Sequence, residues 1–230
     1  MKELLSNSVF FGVMISLFAY EIGVLLRKKW NLALLNPLLI SIIIVILILS
    51  AFHIDYDTYN EGAKYLSYLL TPATVCLAIP LYEQVELLKK NWKAIFAGIA
   101  AGVLTSACCI LVLSRVFHLD REMYITLLPK SITTAIGMGV SEELGGIVTI
   151  TVAVIIITGV LGNVLAEFIY KLFRISDPIA KGIGIGTAAH AIGTAKAMEL
   201  GEIEGAMSSL SIAIAGILTV IVSPVFAGIY

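Results

Sequence analysis

Residues 128–138, "LPKSITTAIGM", and residues 186–198, "GTAAHAIGTAKAM", decide how the chain is read, because each sets polar groups around an Ala-Ile-Gly inside apolar sequence. The first holds Lys130 with Ser131, Thr133 and Thr134, and the second holds His190 with Thr187, Thr194 and Lys196. Pro129 removes a backbone donor, while Gly182, Gly184, Gly186 and Gly193 weaken a helix. The enclosing segments, 122–146 and 178–202, are therefore expected to be broken or re-entrant helices. Such backbone survives at membrane depth only where protein or water surrounds it.

The two segments also resemble each other. Slid by 56 residues, "TTAIGMGVSEELGG" from Thr133 meets "AHAIGTAKAMELGE" from Ala189. Ala135, Ile136, Gly137, Glu143, Leu144 and Gly145 then coincide with Ala191, Ile192, Gly193, Glu199, Leu200 and Gly201, six positions of fourteen. The match points to an internal duplication over 94–146 and 149–202, expected to be an inverted repeat.

Composition supplies the surroundings. Of 230 residues, 59% are hydrophobic and 13% charged, with a mean hydropathy of +1.00, where a soluble domain carries roughly 25% charge. The chain reads as an all-α polytopic membrane protein, one integral membrane domain over 1–230. A net charge of -1 gives no sign of nucleic-acid binding. Runs of about 20 apolar residues suffice to cross a bilayer, and they fall at 8–26, 36–52, 64–82, 94–114, 147–170 and 206–229. That makes about six full spans plus the two broken segments. Lys2 and Glu3 before the first run, Arg27-Lys28-Lys29 after it and the lack of a small-x-small cleavage site predict a retained first helix.

Charge orients these runs. Arg27-Lys28-Lys29 and Lys89-Lys90-Lys93 mark cytoplasmic loops, with the acidic loop around Asp55 and Asp57 outside. If 122–146 crossed fully, Lys171, Arg174 and Lys181 would emerge outside; if it dips in and returns, they stay inside. The rule favours a re-entrant hairpin, and the duplication predicts a second hairpin from the opposite face. Crossed, unwound spanning helices are the alternative architecture.

In either geometry a half-helix begins near Thr133 and another near His190, each presenting unpaired N–H groups and partial positive charge to an anion. Lys130, Ser131, Thr133, Thr134, Thr187, His190, Gly193 and Thr194 are the candidate substrate-binding residues, with Asn163, Thr71 and Thr74 as candidate cavity walls. A charge inside a membrane costs at least about 2.5–3.5 kcal/mol, so a functional role for Lys130 is the default. A small carboxylate suits this supply of donors. His190 offers a hydrogen bond or, with an unperturbed pKa of about 6.5, coupling to pH. The plainer readings remain open: Lys130 as a snorkelling cation, and His190 as a neutral residue bonded across helices. Lys196 and Glu199 read as an ion pair on one helix face. Gly182, Gly184 and Gly186 read as packing, and Gly98 with Gly102 as a GxxxG contact. The prolines at 72 and 80 predict a kinked or interrupted run at 64–82. Cys76, Cys108 and Cys109 read as buried small apolar residues. Metal spacings, nucleotide loops and catalytic groupings are lacking, so neither an enzyme nor a cofactor is expected.

Three stretches, "LLPKSITTAIGMGVSEELGG", "DPIAKGIGIGTAAHAIGTAKAMELGEIEGAMSSL" and "ATVCLAIPLY", resemble the signature stretches of the LrgB/CidB family, with the first closer to the CidB branch. The resemblance implies a bacterial inner-membrane protein and two kinds of function. One is transport of a small monocarboxylate such as pyruvate or glycolate, the reading the paired polar motifs favour. The other is holin-like or antiholin-like control of murein hydrolase export and autolysis, acting with a small LrgA/CidA-type membrane partner. Either role is compatible with a homo- or hetero-oligomer.

Overall fold

Proline, glycine and the apolar runs place the helix ends. A computed structural model describes residues 10–30, 35–76 and 78–230, the side chains of 70, 71 and 74 excepted. Lys2 and Glu3, and the side chains of Thr71 and Thr74 named above, lie outside the described residues. Among the described residues the helices are α1 (Phe11–Trp30), α2 (Pro37–Phe52), α3 (Tyr56–Ser67), α4 (Leu70–Cys76), α5 (Ala78–Glu83) and α6 (Val85–Val116). There follow α7 (Arg121–Leu127), α8 (Thr134–Leu144), α9 (Val148–Leu172), α10 (Pro178–Leu200) and α11 (Glu202–Ala227). The chain divides into two compact units, Met1–Cys76 and Leu77–Tyr230.

In the first unit α1 packs on α2 and α3. A Cβ on Gly12 would run into the Tyr59 carbonyl, so only glycine lets these helices approach so closely. Ser16 Oγ lies 2.8 Å from the Tyr59 hydroxyl. Asn36 caps α2, its Oδ1 accepting from Leu38 N–H at 2.9 Å, with Pro37 in the first turn where no donor is needed.

Among the described residues three helices are long and apolar enough to cross a membrane: α6, α9 and α11. In their most apolar 18-residue stretches only 28%, 28% and 33% of residues are buried. Leu104, Val112, Ile157, Leu161, Ile217 and Ile221 instead face outward, while Ser114, Thr126, Ser141, Thr151, Thr194, Ser208 and Ser211 are buried. This inside-out arrangement is that of a membrane protein, whose exterior meets hydrocarbon. The other three expected spans differ. α1 carries Glu21, Arg27, Lys28 and Lys29, α2 is 16 residues, or about 24 Å, and the run 64–82 is divided among α3, α4 and α5. Interruption of that run was predicted from its prolines. The cysteines also depart from expectation: all three are free and exposed.

The second unit is organised by two chain reversals. The first joins α7 to α8 through residues 128–133. Thr126 Oγ1 accepts from Ile147 N–H at 2.8 Å, so the chain leaves the segment beside the point where it entered. The second lies within α10, where His190 has φ 42° and ψ -140°. Thr194 Oγ1 reaches Ser208 Oγ at 2.7 Å, and a Cβ on Gly186 would meet the same serine's Oγ at 2.8 Å. Residues four before and four after His190 therefore touch one residue of α11, which a continuous helix forbids. Both arms also run along α9: the Tyr170 hydroxyl donates to the Lys181 carbonyl at 2.7 Å, and Lys196 Nζ lies 2.5 Å from Glu167 Oε1.

These reversals gather charge. Leu87, Ile179 and Ile203 pack on one core cluster, so the starts of α6, α10 and α11 share an end of the unit with the close of α9. Lys89, Lys90, Lys93, Lys171, Arg174 and Lys181 all belong to that end. At the opposite end Arg115 donates to the Ile229 carbonyl at 3.1 Å, and the Tyr124 and Tyr230 rings stack with centroids 4.3 Å apart.

A positive φ at His190 makes a sharp prediction. In a continuous helix alanine is favoured over glycine by about 1 kcal/mol, whereas at a left-handed position glycine is preferred. The His190→Gly variant should keep a higher melting temperature in detergent than His190→Ala. The opposite order would place residue 190 in regular helix.

Candidate functional site

Residue 130 is set by the break itself. The chain turns at Pro129, Lys130 and Ser131, then resumes as α8 with Thr133 at the N-cap position, its φ and ψ of -63° and 145° extended. The turn, the middle of α6 and the first arm of α10 enclose a cavity of about 310 Å³. Lys130 and Ser131 line it from the turn, Gly98, Gly102, Thr105, Ser106 and Cys109 from α6, and Gly184 and Thr187 from α10. Lys130 therefore lies opposite residues 98–109 of a helix that runs from 85 to 116, well inside the apolar zone.

The chemistry around Lys130 is one-sided. Its Nζ donates to Ser131 Oγ at 2.9 Å, and among the described residues no carboxylate is within ion-pair distance of it. An ammonium has three donors, so two N–H groups have no protein acceptor. Thr187 Oγ1 and Ser106 Oγ, both buried, also find no hydrogen-bond partner among the described residues. A positive charge and hydroxyl donors are thus left unmatched on one wall, a set of groups able to hydrogen-bond an anion.

Of the residues picked from sequence, the structure brings Lys130, Ser131 and Thr187 together here. Thr133 and Thr134 are partly exposed at the start of α8, and the Thr133 side chain makes no cap bond. His190, Gly193, Thr194 and Asn163 do not line this cavity; they hold the second reversal. His190 is 3% exposed, and its Nε2 lies 3.1 Å from the Ile155 carbonyl. Because a carbonyl only accepts, that nitrogen carries the proton. Asn163 Nδ2 donates to the Ile192 carbonyl at 2.8 Å. Gly193 lets the arms close, since a Cβ there would meet the Ile185 carbonyl at 2.9 Å. Lys196 pairs with Glu199 at 3.1 Å as expected and also with Glu167. Gly182 and Gly186 pack on α11, whereas Gly184 faces open space.

Thr105, Ser106 and Cys109 were missed. The legible signal was Gly98, Gly102 and Ser106, small residues at i, i+4 and i+8, which form one stripe on a helix. Gly102 is indeed a close contact, as a Cβ there would sit 2.7 Å from Thr187 Cγ2. The stripe that permits packing thus also fronts the cavity.

Among the described residues, three long apolar helices, two reversals held by polar side chains and a cation facing a pocket between helices define an integral membrane protein. The chain belongs to the LrgB-like family, whose model matches residues 16–229. It is 39% identical over 218 residues to the antiholin-like protein LrgB of Bacillus cereus (strain B4264), covering 94% of this chain and 95% of the relative. The antiholin-like protein LrgB of Bacillus anthracis (strain CDC 684 / NRRL 3495) matches over the same lengths at the same identity. Both relatives carry the LrgB name, so the expected leaning to the CidB branch gains no support from them. No solved structure matches.

Stability should separate the two groups of polar residues. Asn163→Leu removes the bond that ties α9 to the second arm of α10 at the Ile192 carbonyl and should cost about 0.5–1.5 kcal/mol. Lys130→Met removes a desolvated cation and should leave thermal stability in detergent unchanged or raised. Equal losses in both variants would make Lys130 a structural residue.

Proposed function

We propose that this chain is an antiholin-like protein of the bacterial inner membrane that restrains murein hydrolase export and autolysis together with a small LrgA/CidA-type partner. The observation that carries this reading is identity of 39% across 94% of the chain with proteins named antiholin-like. The positive-inside rule places the lysine-rich end, with Lys89, Lys171 and Lys181, in the cytoplasm. On that orientation 122–146 is a re-entrant hairpin from the outer face and 178–202 one from the cytoplasmic face, the pairing an inverted repeat requires. Support comes from the Thr126–Ile147 bond and from the shared contact of Gly186 and Thr194 with Ser208. Crossed helices would need each segment to leave at the far end.

One observation favours a second reading, passage of a small monocarboxylate such as pyruvate or glycolate. It is the cavity in which Lys130 has no carboxylate partner while Ser106 and Thr187 keep unfilled hydroxyls. A protein that acts only by association needs spans and a surface, not a cation in a pocket between its helices.

Both readings meet one paired experiment. Cells lacking their own copy should, on expressing this chain with its small partner, release several-fold less murein hydrolase activity and lyse more slowly. An unchanged zymogram, alongside saturable uptake of labelled pyruvate by proteoliposomes, would overturn the first reading in favour of the second.

A further inference from the structure

Beside the Lys130 cavity lies a second void of about 10 Å³, lined by Ser106, Ser131 and Thr187, by Thr219 and Ser223 of α11, and by the apolar Val103, Ala107, Leu128 and Val222. Ser106, Ser131 and Thr187 also line the large cavity, so these three side chains are the partition between the two spaces. We propose that the two voids are successive parts of one path for a small monovalent anion, closed at this hydroxyl partition. The proposal rests on the second reading above, and it adds the route, its narrowest point and the residues beyond it.

The lining selects for charge. Neither void is walled by an acidic residue, and Lys130 is the one cation among the lining residues. The field inside therefore favours an anion and disfavours a cation. The small void is about the size of one water probe and is bordered by five hydroxyl-bearing residues, enough polar partners to hold a water or an anionic oxygen. Ser106 Oγ and Thr187 Oγ1 lack protein partners, and in a protein surrounded by hydrocarbon such groups are expected to meet water or a ligand.

The partition is also suited to opening. Its three side chains come from three elements: Ser106 from α6, Thr187 from α10 and Ser131 from the non-helical turn. Ser131 is tied to the adjacent Lys130 by the 2.9 Å bond to Nζ. An anion drawn to that ammonium can take the two N–H groups that Ser131 leaves unused, and is then held beside the one partition residue that lies outside a helix.

Cysteine modification tests the path without choosing a solute. Full-length protein in proteoliposomes would carry Cys76→Ala and Cys108→Ala, keeping native Cys109 in the large cavity as the reference. A second form would add Cys109→Ala and Ser223→Cys, beyond the partition, with Thr219→Cys as its replacement if that form does not insert. Both cysteines should react with an anionic methanethiosulfonate about tenfold faster than with a cationic one of similar size. Lys130→Gln should remove the preference at Cys109, and excess acetate should slow the reaction. Inert Ser223→Cys and Thr219→Cys beside a reactive Cys109 would make the cavity a dead end and overturn the path. Equal rates for the two reagents would overturn its anion character. Because labelling is read without transport, failure of pyruvate uptake with labelling intact removes that substrate and leaves the path standing.

Discussion

The turn at His190 takes its hydrogen bonds from α9, and the arrangement of the second unit follows from that dependence. Helical backbone satisfies itself; a reversal does not, and in hydrocarbon no water is at hand to compensate. Here Asn163 supplies the donor for the Ile192 carbonyl, and the Ile155 carbonyl accepts from His190. A non-glycine residue at φ 42° costs roughly 1–3 kcal/mol and persists only where its surroundings over-determine it. Those two bonds, with Thr194 bonding the His190 carbonyl at 3.0 Å, do so.

The same helix registers the other reversal. Thr151 Oγ1 lies 2.7 Å from Ser141 Oγ and 3.0 Å from the Thr126 carbonyl, joining α7, α8 and α9. Ile155, fully buried, offers its carbonyl to His190 and its Cδ1 to Gly137, where a Cβ would clash with it. The glycines at 137 and 193, partners in the sequence match, are thus both sites of close approach. With apolar side chains turned outward, these small residues and short polar bonds carry the packing, as expected where lipid offers no hydrophobic drive between helices.

Much of this was written in the sequence. Pro129 and the Ala-Ile-Gly pair located both interruptions, and α8 starts at Thr134, one residue from the expected Thr133. What sequence could not decide was the task of each polar residue. A histidine in a broken segment serves equally as ligand or as structural donor; the carbonyl opposite it decides, and that carbonyl comes from a helix about 35 residues earlier in the chain. Thr187 and Lys130 are likewise distant in sequence and meet only because both hairpins close on α6. Ser106 was hidden because a small residue at helical spacing from Gly98 and Gly102 reads first as a packing stripe. The division of 64–82 into short helices was legible from Pro72 and Pro80, but its end points were not.

The central claim is that both broken segments enter and leave on one side, from opposite faces of the membrane. Single cysteines at 120 and 146, and at 176 and 202, placed in a cysteine-free chain in intact cells, test it through an impermeant maleimide. The claim predicts that 120 and 146 label from outside, while 176 and 202 label only after permeabilisation. Members of either pair labelling from different sides would contradict it and restore crossed spanning helices.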